Sequence, residues 1–294
     1  MNASKFKGTG VALITPFKKD QSVDFDALEK LVDFVIDGGV DYLTALGTTA
    51  ETPTLSKEEK LEILNCILAK NNKRVPVVCG MGGNSTQDVI QQFELYPMDQ
   101  LDAILSVSPY YNKPTQTGII AHYKEISKNS TLPIILYNVP GRTGSNMLAS
   151  TTLQLANEYE NIVAMKEASG NMAQCMELVS GRPEGFVLLS GDDNLAMPQI
   201  ACGFDGVISV AANCFPQDFC RLIKHSMDHE FNHAQQLHYK LLQGIDLLFA
   251  EGNPTGAKCV LLELGICENI LRLPMMAASS SLQERIRAFL QQLT

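Results

Sequence analysis

The sequence predicts an α/β fold, a (β/α)8 TIM barrel with a C-terminal helical extension. Three observations predict it: a length of 294 residues, eight short apolar runs, and a helix-like segment after each run. An α/β barrel commonly takes about 250 residues, which leaves room for a modest addition. The expected division is a barrel over 1–230 and an extension over 231–294.

In chain order, the strand candidates are Gly10–Thr15, Tyr42–Leu46, Val75–Cys79, Ala103–Val107, Ile134–Tyr137, Ile162–Lys166, Phe186–Ser190 and Val207–Val210. Most are continuously apolar rather than alternating, as parallel strands buried on both faces require. The segments between them have helical periodicity, clearest in Asp26–Asp37 and Lys57–Lys70. Helix starts carry capping residues: Ser56 with Glu59 three residues on, Ser85 with Asp88, and Asp192 and Asp193 before Leu195. Eight βα units in succession favour closure over a doubly wound sheet. After Val210 the chain reads as helices over Phe215–Met227, Phe231–Phe249, Thr255–Leu264 and Leu282–Leu293.

With 45% hydrophobic and 19% charged residues, the chain can bury a sizeable core. A net charge of −9 is the wrong sign for a nucleic-acid backbone or an anionic membrane surface, so neither is expected as a partner. The apolar stretch after Gly8 is broken at Gly10 and ends at Pro16, too short for a secretory or membrane segment, so a cytoplasmic location is expected. Eight cysteines without a CxxC pair, mostly in apolar runs, read as buried free thiols.

In such a barrel, reactive groups belong at the carboxyl ends of the strands and in the loops that follow. Lys166 ends the run Ile162–Met165, a poorly solvated position; burial disfavours a charged ammonium, and a free amine can attack a ketone. The bland alternative is a strand-end lysine that reaches solvent or pairs with Glu167. After the second strand, Gly47-Thr48-Thr49-Ala50-Glu51 offers two hydroxyls and nearby amides for a small carboxylate, or simply caps a helix. After the fifth, Tyr137 to Thr143 offers a phenol for proton transfer and the Arg142 guanidinium for a carboxylate; otherwise Tyr137 is core and Arg142 a surface ion pair. Tyr110 and Tyr111 follow the fourth strand, where adjacent aromatics usually pack or form interfaces. Gly80-Met81-Gly82-Gly83-Asn84 lacks a dinucleotide fingerprint and reads as a tight loop. His225, His229 and His233 recur at helical spacing but straddle an expected helix boundary, so they read as surface; Asp192 and Asp193 read as caps, and no metal is expected.

Together these stretches, with Lys166-Glu167-Ala168-Ser169-Gly170, Gly191-Asp192-Asp193 and Gly206-Val207-Ile208-Ser209-Val210, resemble the dihydrodipicolinate synthase (4-hydroxy-tetrahydrodipicolinate synthase) family. The similarity runs from Gly8 through the extension, with each motif after an expected strand. The resemblance implies that Lys166 forms a Schiff base with pyruvate and that Tyr137, Thr48 and Tyr111 form a proton relay, Tyr111 entering from a neighbouring subunit. It further implies that Thr49, Ile208 and Gly191 bind substrate and that Arg142 binds the carboxylate of L-aspartate 4-semialdehyde. No cofactor is expected, and the assembly implied is a homotetramer, a dimer of dimers.

The chain departs from the family's pattern at Ala50, where glycine is common. Positions that resemble the family's regulatory cleft read Thr52, Pro53, Lys57, Lys60, Asn84, Asp88 and Tyr110. Lys57 and Lys60 stand where a lysine-sensitive branch has histidine, and added cations repel lysine's ammonium groups, so inhibition by lysine is expected to be weak or absent. Two other readings remain open: another pyruvate-dependent lyase, such as N-acetylneuraminate lyase or a keto-deoxy sugar acid aldolase, and a non-catalytic ligand-sensing barrel.

Overall fold

The structure, a computed structural model, describes residues 3–293. Its elements in chain order are β1 (Gly8–Ala12), α1 (Phe25–Asp37), β2 (Tyr42–Ala45), α2 (Lys57–Asn71), β3 (Val77–Gly80), α3 (Thr86–Leu95), β4 (Ala103–Val107), α4 (Gln116–Asn129), β5 (Ile134–Asn138), the single turn α5 (Pro140–Thr143), α6 (Ala149–Glu158), β6 (Ile162–Glu167), α7 (Met172–Gly181), β7 (Val187–Ser190), α8 (Ala196–Ala201), β8 (Gly206–Ser209) and α9 (Pro216–Met227). Three further helices follow: α10 (Phe231–Phe249), α11 (Thr255–Glu263) and α12 (Ser280–Leu293). The eight strands are parallel and pair in sequence order, and β1 meets β8 to close the barrel.

Two apolar clusters follow from the alternation of side chains along each strand. Val11, Leu43, Ile104, Leu136, Met165 and Leu188 point outward and pack under the helices. Ala12, Tyr42, Leu105, Ile135, Val187 and Ile208 belong to a second, smaller cluster, which fills the barrel interior. Near the amino ends of the strands, Tyr42 crosses this interior and donates its hydroxyl to Val207 O at 3.3 Å. Phe6 packs edge-on against it with ring centroids 6.0 Å apart. Gly10 leaves the space Tyr42 needs, because a Cβ there would lie 2.2 Å from the phenol ring.

Strand boundaries differ from the sequence reading where backbone partners, rather than apolarity, decide them. β1 starts at Gly8 instead of Gly10 because Gly8 pairs with Gly206 across the closing seam. Gly206 has φ 153°, and a Cβ there would strike Gly8 O at 2.1 Å, so a side chain at Gly206 would pry the seam open, whereas one at Gly8 would meet the Asp41 carboxylate. β1 ends at Ala12 because the Asn213 side chain replaces a strand partner: it donates to Ala12 O at 2.8 Å and accepts from Ile14 N. β3 starts at Val77, since Pro76 has no N–H to donate and Val75 is held by the Asn71 side chain.

Helix starts follow the expected caps at α2, where Ser56 and Glu59 form a reciprocal box, and at α3, where Ser85 Oγ accepts from Asp88 N. Asp192 and Asp193 correct the reading: neither side chain caps a helix. The buried Asp193 carboxylate instead accepts from Val210 N and Ala211 N, at 3.1 and 2.9 Å, and ties the loop after β7 to the end of β8. All eight cysteines are free; Cys202 is exposed rather than buried. Among the described residues no helix is long and apolar enough to cross a membrane.

Candidate active site

β5 and β6 pair in register so that Tyr137 lies beside Lys166, both turned into the barrel near the carboxyl ends of their strands. Lys166 is 6% exposed, and its Nζ sits 4.4 Å from the centroid of the Tyr137 ring. The next residue, Glu167, points the opposite way. Its buried carboxylate accepts from Asn138 Nδ2, Gln174 Nε2 and Ser169 N, so it is fully engaged behind the strand and does not pair with Lys166. Lys166 is therefore a buried amine against an aromatic face, not a strand-end lysine reaching solvent.

Gly191, at the end of β7, lines the other side of the lysine. A Cβ there would lie 2.6 Å from Ala168 Cβ and 3.1 Å from Lys166 Cε, so only glycine leaves the amine its place. The next carboxyl, Asp192, is half-buried. Burial pushes its pKa up to about 6, the Lys166 charge opposes the rise, and Asp193 and Glu167 add to it.

The Gly47–Glu51 segment forms a short 3-10 turn over Thr48–Ala50. Thr48 is exposed at the mouth, whereas Thr49 is 2% exposed, with its hydroxyl accepting from Asn253 Nδ2 at 2.9 Å. Ala50 is buried outside the left-handed region, and its carbonyl accepts from Thr15 Oγ1 at 2.8 Å, so alanine fits where glycine was expected. Glu51 has φ 54° and turns its buried carboxylate to Lys258 Nζ, at 2.5 Å, on α11.

A cleft of about 720 Å³ opens over this end of the barrel, and its lining includes Thr48, Tyr137, Arg142, Lys57, Lys60 and Asp88. Arg142 projects from α5, and among the described residues no carboxylate pairs with it, so it is not the surface ion pair weighed above. Thr52, Pro53 and Tyr110 also line the cleft; Asn84, Thr49, Lys166, Gly191 and Ile208 do not. Thr52 donates its hydroxyl to Leu46 O and Gly47 O. Asn84 instead accepts from Asn112 Nδ2 through its carbonyl. Ile208 is fully buried at an inward position of β8 opposite Gly10. Tyr111 is not brought to the site by its own chain. It is 88% exposed, at φ 70°.

His225, His229 and His233 do straddle a helix boundary, between α9 and α10. His225 pairs with Glu230 at 2.5 Å, and His233 lies 3.7 Å from the same carboxylate, all at the surface. The sequence reading missed Asn253 and Lys258. A lysine inside the apolar stretch Thr255–Leu264 was the available signal, since a charged residue in a buried helix needs a partner.

The model of the Dihydrodipicolinate synthetase family matches residues 5–293. The 4-hydroxy-tetrahydrodipicolinate synthase of Flavobacterium psychrophilum is 47% identical over 98% of this chain and 99% of its own. Among solved structures, dihydrodipicolinate synthase from Aquifex aeolicus superposes with a TM-score of 0.94 at 40% identity, over 98% of each chain. The chloride-inhibited dihydrodipicolinate synthase from Acinetobacter baumannii, complexed with pyruvate, does so with a TM-score of 0.94 at 38% identity, over 98% of each chain. The motifs around Lys166, the closed barrel and these matches across the whole length agree: the chain belongs to the dihydrodipicolinate synthetase family.

Proposed function

We propose that the chain condenses pyruvate with L-aspartate 4-semialdehyde through a Schiff base on Lys166, giving 4-hydroxy-tetrahydrodipicolinate for diaminopimelate and lysine biosynthesis. The observation that carries the assignment of Lys166 is its place: a buried amine on β6, against Gly191 and over the ring of Tyr137, which lines a cleft together with Thr48 and Arg142.

Lys166 Nζ attacks C2 of pyruvate, and loss of water gives the imine. The imine withdraws electrons better than the ketone, so the methyl group releases a proton and becomes an enamine carbon. That carbon attacks the aldehyde of the second substrate, whose oxygen takes up a proton to become the hydroxyl. The substrate's own amine then adds to the former imine carbon and displaces Lys166, closing the ring; one water leaves overall. Tyr137 is the proton donor and acceptor beside the lysine, with Thr48 and Tyr111 completing the relay. Thr49, Ile208 and Gly191 hold pyruvate, and Arg142 takes the second carboxylate, which favours the semialdehyde over a sugar acid.

Tyr111 is exposed and does not line the cleft of its own chain, which supports its service to a neighbouring copy and a homotetramer built as a dimer of dimers. Free cysteines and the acidic surface fit a reducing cytoplasm. Inhibition by lysine is weak or absent: Lys57 and Lys60 crowd the same cleft, and burial followed by the Lys57 charge lowers the pKa of Lys60, the sign of a site already hostile to another cation. Half-inhibition by submillimolar lysine contradicts this.

The test of the mechanism is mass spectrometry after incubation with pyruvate and borohydride, which reduces a Schiff base to a stable adduct. One pyruvate trapped on Lys166 supports it; folded protein with Lys166 unmodified overturns it.

A further inference from the structure

The turn that carries Thr48 and Thr49 is held at three successive residues by groups distant in the chain. Thr49 Oγ1 accepts from Asn253 Nδ2 at 2.9 Å, Ala50 O accepts from Thr15 Oγ1 at 2.8 Å, and Glu51 is bound through both carboxylate oxygens. One of those oxygens meets Lys258 Nζ at 2.5 Å and the other accepts from Arg272 N at 3.0 Å. Lys258 is 0% exposed; its ammonium also donates to Ile270 O at 2.8 Å and lies 4.1 Å from the centroid of the Phe17 ring. Asn253, Lys258 and Arg272 all belong to the helical extension, so its innermost face is built against the mouth of the barrel.

A threonine hydroxyl has one hydrogen and two lone pairs. When Asn253 Nδ2 donates to Thr49 Oγ1, that hydrogen cannot point back at the asparagine N–H and is left to be given elsewhere. A carboxylate accepts only, so a hydroxyl oriented in this way is suited to bind one. Glu51, in the left-handed conformation, ends the same turn, and the buried charge pair with Lys258 fixes that conformation.

We propose that Asn253 and Lys258 are positioning residues for the reaction: Asn253 directs the Thr49 hydroxyl proton at the carboxylate of pyruvate, and Lys258, through Glu51, holds the turn that presents it. The inference rests on the reading above that Thr49 binds this carboxylate. The extension is thus part of the active-site machinery without touching substrate.

The experiment compares two ketones, pyruvate and the carboxylate-free acetone, in borohydride trapping on Lys166, together with steady-state kinetics, in the full-length protein. Asn253→Ala removes the orienting donor and is expected to raise the KM for pyruvate about three- to tenfold with a smaller change in kcat, while acetone trapping stays at the wild-type rate. Asn253→Asp can only accept, so it draws the Thr49 proton away and adds a negative charge; its KM is expected to rise about a hundredfold. Lys258→Arg keeps the charge and is expected to retain more pyruvate trapping than Lys258→Met. If Lys258→Met does not fold, the Glu51→Gln/Lys258→Met pair, which leaves no unpaired charge, replaces it. Equal losses with both ketones in folded Asn253→Ala, or Asn253→Asp behaving like wild type, overturn the proposal. Wild-type protein that traps acetone on Lys166 but not pyruvate overturns it as well. If wild type traps neither, the Schiff-base reading itself fails, and this proposal fails with it.

Discussion

Two loops at the mouth of the barrel contribute to the same proposed site in opposite ways. The segment after β2, Gly47–Glu51, is bonded at successive residues to Thr15, Asn253, Lys258 and Arg272, so its shape is complete within one chain. The segment after β4 turns Tyr110 to the cleft and carries Tyr111 outward, with Tyr111 and Lys113 at φ 70° and 45°. The hydrogen bonds that brace it are Asn112 N to Tyr110 O at 2.9 Å and Asn112 Nδ2 to Asn84 O at 3.0 Å. The first loop has exchanged water for protein at Thr49, Ala50 and Glu51; the second keeps the Tyr111 phenol in solvent. A group that must bind a small ligand in a fixed direction is built into the scaffold, whereas a group proposed to serve another copy is left on the surface.

The largest expected effect tests the braced loop. Lys258→Met strands the Glu51 carboxylate in the interior and is expected to cost about 3–5 kcal/mol of stability, measured by denaturant unfolding. A loss below about 1 kcal/mol would mean that the loop is not braced by this pair. Gly191→Ala comes next: the added methyl meets Ala168 and Lys166, with a cost of about 1–3 kcal/mol and slower imine trapping. Trapping at the wild-type rate would show that the lysine has room to spare.

Asp192→Asn is expected to act through pH. The folded carboxyl, at about 6, lies above its usual value of 3.8, so the native state binds this proton more tightly than the unfolded chain does. That advantage is fully present below 3.8 and is lost as pH rises through 6. Replacing the carboxyl with an amide should therefore stabilise the protein at pH 7 by about 1–2 kcal/mol, allowing for partial exposure, and by next to nothing at about pH 3. Thermal melts across that window decide the matter, and a benefit of equal size at both pH values would refute the titration. The smallest effect belongs to the unbraced loop. Tyr111→Phe should change stability by less than about 0.5 kcal/mol while slowing turnover, and sedentary stability with unchanged turnover would remove Tyr111 from the relay.

Legibility in the sequence tracked the range of the interactions involved. β4 was predicted to the residue because an apolar run bounded by polar residues and a proline needs only its own pattern. That Lys166 ends β6 was legible from the apolar run before it, whereas its choice over an ordinary strand-end lysine came from the resemblance of the surrounding motifs. The closing seam was misread because Gly8 and Gly206 look like turn residues until they are seen to pair, with Gly206 making room for the Gly8 backbone and Gly8 for the Asp41 carboxylate. Asp193 was misread as a cap because aspartate before a helix usually is one, and nothing local shows that its carboxylate reaches the backbone at Val210. Asn253 and Lys258 lie about two hundred positions from Thr49 and Glu51, a separation at which only the folded chain reveals partnership.

The aromatic floor made by Tyr42 and Phe6 has a consequence for traffic. With the amino-terminal end of the barrel plugged, everything the site consumes and everything it releases shares one doorway. On the proposed mechanism pyruvate goes to the buried Lys166 and so enters first, and the water lost in making the imine comes out before the longer substrate fills the cleft. A semialdehyde that arrives early stands in the way, so an excess of it should slow the enzyme in a manner that more pyruvate relieves. The order of events at the lysine is then set by the shape of a dead-end chamber as much as by its chemistry.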